Sequence, residues 1–165
     1  MAVSRDIFRT WRAPRAVMRE LLSMGQREDR ALAYLMSACV VIFIAQWPRL
    51  AREAHLLGED LSQRVSYEMV AWLIVWPLIF YVVAIIVHGA LKLFRARGSW
   101  YSARLAIFWS MLAASPAALL YGLMAGFAGP TAGTKLVGLV WLCALAIFLL
   151  QTLREAEFGV ETADV

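Results

Sequence analysis

Four stretches of this chain contain no Asp, Glu, Lys or Arg: residues 31–47, 70–91, 105–127 and 136–153, of 17, 22, 23 and 18 residues. A helix needs about 20 consecutive apolar residues to cross the hydrocarbon of a bilayer, and each stretch approaches or exceeds that length. Together they occupy close to half of the 165 residues, in a chain that is 62% apolar and only 17% charged, with a mean hydropathy of +0.66. An ordinary soluble domain carries about 25% charged residues, so water is not the main solvent. Disorder, a disulfide scaffold and a nucleic-acid-binding domain are excluded. The expected fold is all-α: a polytopic integral membrane protein, a four-span transmembrane helical bundle with an N-terminal amphipathic interfacial helix. It divides into a cytoplasmic basic amphipathic segment (1–30), the transmembrane domain (31–153) and an acidic cytoplasmic tail (154–165).

The distribution of charge gives an orientation. Residues 1–30 hold Arg5, Arg9, Arg12, Arg15, Arg19, Arg27 and Arg30, without the uninterrupted apolar core and small-residue cleavage site of a removable signal peptide. With four spans, twelve of the sixteen Lys and Arg residues fall on the side of the N-terminus, and Arg49, Arg52, Arg64 and Lys135 on the other. Positive charge near span ends is retained in the cytoplasm, so both termini are expected there. The net charge of +4 is read as topology rather than as a nucleic-acid surface. Abundant Arg and Ala point to a bacterial source, and hence to the inner (cell) membrane.

Within the first segment, Ile7, Trp11, Pro14, Met18, Leu21 and Gly25 recur at steps of four and three, while Arg5, Arg9, Arg12, Arg15 and Arg19 point elsewhere. A basic amphipathic helix of this kind lies in the headgroup plane. Its partner is the anionic lipid surface, and Pro14 suits the first turn of a helix running to Gly25. In the connection 48–69, Leu50, Ala54, Leu57, Leu61 and Val65 form a second apolar stripe, expected to lie on the outer surface or to cap the bundle, the alternative being a helical extension of the first span, with Gly58 as a break point.

The spans themselves are nearly free of titratable groups. His88 is the one candidate polar site, placed near the cytoplasmic headgroups with no charged partner in any span and able to reach water. The third span, 105–127, has eight Leu, Ile, Val or Phe residues against eleven in the shorter 136–153. Small residues replace them. Ala114, Ala118, Gly122 and Gly126 follow at steps of four, a helix-packing ridge that permits close approach, so this span should be the most protein-buried. Helix kinks are expected at Pro77 and Pro116, with Ser115 supplying a compensating hydrogen bond to the opened backbone.

No enzyme motif is present. The turn 129–135 has the glycines and lysine of a phosphate-binding loop at the wrong spacing, and Leu136 stands where a magnesium-binding hydroxyl is required. A tight turn accounts for every residue. Cys39 and Cys143 both fall within spans and no CxxC occurs, so they read as two small buried side chains, with no metal site and no cofactor.

The run Gly98, Ser99, Trp100, Tyr101, Ser102, Ala103 and Arg104, leading into a span with Ser115 and Pro116 near its middle, resembles the Ypt-interacting-protein (YIP) family in its bacterial type. There a glycine-rich, positively charged turn precedes a proline-interrupted helix. Arg12, Ala13 and Pro14 followed by Met18, Leu21 and Leu22 resemble that family's amphipathic entry into its first span. The resemblance implies a polytopic helical membrane protein with a cytoplasmic N-terminus. The family commonly has five spans, whereas four are counted here. The expected function is non-catalytic: a membrane scaffold, assembly factor or accessory subunit, whose partner is another membrane protein or a second copy. The alternative is a small transporter or lipid-moving protein that uses the kinked spans two and three.

Overall fold

The computed structural model describes residues 3–159. Its elements are α1 (Val3–Thr10), α2 (Pro14–Ser23), α3 (Glu28–Leu57), α4 (Leu61–Val70), a π-helical turn (Ala71–Val75), α5 (Trp76–Leu93), α6 (Trp100–Ala128) and α7 (Ala132–Phe158). Four helical segments, Glu28–Leu57, Leu61–Leu93, Trp100–Ala128 and Ala132–Phe158, are long and apolar enough to cross a membrane.

Helix α6 is the centre of the bundle, packed between α3 and α7. Eighteen of its residues are buried, against three in α5, because its small side chains admit neighbours on several faces. Gly122 and Gly126 set the α3–α6 spacing. A Cβ at Gly122 would come within 1.8 Å of the Ala45 carbonyl oxygen, and one at Gly126 within 2.3 Å of Pro48 Cβ. Ala118 joins the main core of Leu35, Ile42, Leu105, Phe108 and Trp109, while Ala114 packs with Ala144 and Phe148 of α7. The ridge is thus occupied within the chain.

Pro116 lies inside α6 without ending it. Proline leaves the carbonyl four residues back without its main-chain donor, and Ser115 Oγ donates to that Leu112 oxygen at 2.8 Å. At Pro77 the backbone adjusts ahead of the ring, as the π-helical turn in which Trp76 N–H bonds the Ala71 carbonyl. The π-helical turn and α5 together present Ile74, Leu78, Val82 and Ile86 as an exposed apolar stripe.

Two elements differ from the sequence reading. Residues 48–57 are not a separate surface segment: α3 continues straight through Pro48 to Leu57. Leu50 and Ala54 are buried, which holds the extension in the bundle, and Arg49 pairs with Glu68 of α4. Gly58, with φ +67, then caps the helix, and α4 starts after Asp60. Secondly, only Cys39 of the two cysteines is buried; Cys143 is exposed on α7, on a face that no other helix covers.

Candidate functional site

The basic end of the bundle contains two constructions that linear charge counting does not reveal. The first is the N-terminal hairpin. Helix α1 runs into the bundle, turns at Trp11, Arg12 and Ala13, and α2 runs back out to Gly25, whose φ of +80 needs the freedom of glycine. Trp109, fully buried on α6, donates its indole N–H to Thr10 Oγ1 at 3.1 Å. Trp11 donates to the Ala113 carbonyl at 3.1 Å and sets its ring edge-on to Phe148 of α7, centroids 5.1 Å apart. Ala113 lies eight residues inside the charge-free stretch that begins at Leu105, about 12 Å along the helix axis.

The segment therefore does not lie flat across the end of the bundle, as its amphipathic pattern predicts, but stands against α6 and α7. The reason is that its apolar stripe, Val17, Met18 and Leu21, finds a protein surface to bury against and is almost wholly enclosed. Two of its arginines are spent on structure: Arg9 bonds Asp6 and Glu20, and Arg19 bonds Glu155 of α7 at 2.8 Å. The Glu20 hydrogen bond raises the Arg9 pKa further above its already high value. Arg5, Arg12 and Arg15 remain exposed, and none has an acidic partner among the described residues. Trp11 keeps 43% of its surface exposed beside them.

The second construction corrects the reading of His88. It does not reach water. His88 is wholly buried, and its Nδ1 lies 3.0 Å from Oε1 of Glu157, itself wholly buried. Trp100 covers the imidazole at a centroid distance of 4.4 Å. Gly98 allows the 95–98 turn to close over the carboxylate, since a Cβ there would stand 2.7 Å from the Ala156 carbonyl oxygen and from Glu157 Oε2. Arg97 N–H donates to the Glu157 carbonyl at 2.9 Å, fastening that turn to the end of α7. His88 Nε2 and Glu157 Oε2 have no hydrogen-bond partner among the described residues.

The sequence places Glu157 in an acidic cytoplasmic tail starting at residue 154; α7 instead continues to Phe158, and residues 160–165 lie outside the described residues. The continuing apolar positions Leu149, Leu153 and Ala156 were the available sign that the helix goes on. The glycine at 98, in an otherwise polar turn, marked the close approach. Pro77 is buried and Pro116 half-buried, and neither bonds the His88–Glu157 pair. Among the described residues no three His, Cys, Asp or Glu side chains converge on a metal-sized site.

Four long apolar helices suggest a multipass membrane protein. Comparison with known families, with curated proteins and with solved structures finds no match to this chain. The geometry must therefore supply the functional reading.

Proposed function

We propose that this chain is a non-catalytic integral membrane protein of YIP type, a scaffold, assembly factor or accessory subunit of a bacterial inner membrane, with both termini in the cytoplasm. The α1–α2 hairpin is its contact with anionic lipid headgroups. One observation carries this reading. The hairpin is bonded into the bundle through Trp11, Thr10 and Arg19, yet Arg5, Arg12 and Arg15 stay exposed, with no acidic partner among the described residues. Exposed arginines on the outer face of an apolar bundle are matched by lipid phosphates, towards which long basic side chains extend. The family resemblance rests on the residues Gly98 to Arg104, which lead into and begin the proline-bearing α6.

The test is hydrogen exchange of the α1–α2 amides in nanodiscs of phosphatidylglycerol and of phosphatidylcholine. Stronger protection in the anionic discs, lost in the Arg12→Gln/Arg15→Gln double variant, is expected. Equal protection in both lipids overturns the lipid contact.

A second reading, a small transporter or lipid-moving protein, draws on His88 and Glu157. Ionisable groups enclosed in a membrane bundle are costly and usually act in transport. Proteoliposomes would then show a flux that Glu157→Gln abolishes; a flux that is absent, or indifferent to Glu157, removes this reading.

A further inference from the structure

At the end of the bundle opposite the hairpin, a cavity of about 460 Å³ lies between the extended end of α3 and the α6–α7 turn. Its walls include Arg52, Leu56, Tyr121, Ala125 and Pro130. The basic residues here are unequally employed. Arg49 donates to Gln46, Glu53 and Glu68. Arg64 is held by Glu53 and Glu59, and Asp60 accepts from the Ser62 N–H. The acids are therefore engaged, and Arg52 has no ion pair or hydrogen bond among the described residues.

Yet Arg52 is not a loose surface arginine. Its guanidinium is seated on the α6–α7 turn: a Cβ on Gly129 would stand 2.7 Å from Nη2, 2.9 Å from Cζ and 3.0 Å from Nε. Gly129 adopts φ +68, and Thr134 Oγ1 fastens the turn by donating to its carbonyl at 2.6 Å. The turn lies against a guanidinium that has no ion pair among the described residues. Beside it stands Tyr121, whose ring stacks on Trp141 and whose hydroxyl has no partner among the described residues. Arg49, Glu53 and Thr134 also line the cavity, Glu53 being paired with Arg49 and Arg64, and Leu56, Leu57, Ala125 and Pro130 form its apolar side.

A guanidinium fork matches the oxygen geometry of a phosphoryl group, and the apolar side of the cavity beside it favours an attached hydrocarbon. We propose that this cavity binds a phosphate-bearing amphiphile, Arg52 holding the phosphate and Leu56, Ala125 and Pro130 contacting the adjoining chain. A lipid headgroup and a soluble phosphate share this chemistry, and separate probes distinguish them.

The full chain in neutral detergent is titrated with phosphatidylglycerol, with diacylglycerol lacking the phosphate, and with inorganic phosphate, followed by native mass spectrometry and Tm. Phosphatidylglycerol is expected to bind and raise Tm, and diacylglycerol to do neither. Arg52→Gln should weaken binding on the order of tenfold, the loss of one charged hydrogen-bonding group. Arg52→Lys, which keeps the charge, should retain part of it and guards against a misfolded Gln variant. Arg12→Gln/Arg15→Gln should leave this binding unchanged, which separates the cavity from the hairpin contact. Equal response to inorganic phosphate, lost in Arg52→Gln, keeps the site and makes its ligand soluble. Binding that persists in Arg52→Gln, or equal binding of diacylglycerol, overturns the proposal.

Discussion

His88 and Glu157, sixty-nine residues apart in sequence, meet at 3.0 Å with neither side chain exposed to solvent. The pair ties α5, which buries little else, to the end of α7 under the cover of Trp100 and the 95–98 turn. Removing one partner of a buried ionisable pair typically costs about 3–5 kcal/mol, because the other is left uncompensated. Glu157→Ala and His88→Ala should each lower the Tm in detergent steeply, and the double variant should lose much less than the sum of the two. Additive losses would show that the two side chains are not coupled.

Gly122 and Gly89 make a matched contrast. A methyl group at Gly122 meets the Ala45 main chain, which has no flexible end to move aside, whereas at Gly89 on α5 it meets nothing within 4 Å. Overpacking a tight contact costs roughly 1–3 kcal/mol, while Gly→Ala at an open helical position gains up to about 1 kcal/mol. Thermal unfolding should therefore show Gly122→Ala losing stability and Gly89→Ala holding or gaining it. Leucine at Gly122 or Gly126 should unseat α3 from α6, so lost co-purification in such variants would report the chain's own fold. If Gly122→Leu leaves Tm unchanged, the α3–α6 contact is not as close as described.

Ser115 and Pro116 should behave as a compensating pair. With proline present, Ser115→Ala strands the Leu112 carbonyl and should cost about 1 kcal/mol, the usual worth of one hydrogen bond. With Pro116→Ala the main-chain N–H returns to the same carbonyl, and Ser115→Ala should become nearly neutral. A double-mutant cycle of Tm or unfolding free energy measures this directly; equal effects of Ser115→Ala in both backgrounds would contradict it.

The Trp11 indole fixes the depth of the hairpin. Trp11→Phe keeps an aromatic edge against Phe148 but loses the bond to the Ala113 carbonyl, and about 1 kcal/mol with it. Trp11→Ala loses both. Protease sensitivity around Arg27, where α2 leaves the bundle, should rise modestly in the first variant and strongly in the second. Unchanged cleavage in Trp11→Ala would mean that the hairpin is held elsewhere.

Several features were legible in the sequence because their causes are local. Pro116 necessarily opens a carbonyl one turn back, and a serine beside it is within reach whatever the rest of the chain does. Gly58 and Gly129 mark chain reversals because each takes a positive φ. The small residues of α6 announced close packing, though not against which helix. By contrast, the stripe 50–65 and the stripe 7–25 look alike in sequence. One proved to be the end of a long helix followed by a short one, and the other a hairpin docked against α6 and α7. An amphipathic pattern says that a face must be covered, but not by what.

The site depended most on folding. Arg52 counts in sequence as one more topological charge, and only the closure of the α6–α7 turn beneath it separates it from Arg49 and Arg64. The sequence by itself determined four oily helices, the small residues that let the third pack closely, and which end of the bundle is basic. These follow from solvent partitioning and backbone sterics, which act within a few residues. Only the tertiary structure decided that Glu157 is buried beside His88, that Gly122 and Gly126 are occupied by α3, and that Trp11 bonds Ala113. Each is a contact between residues far apart in the chain, made only once the helices pack.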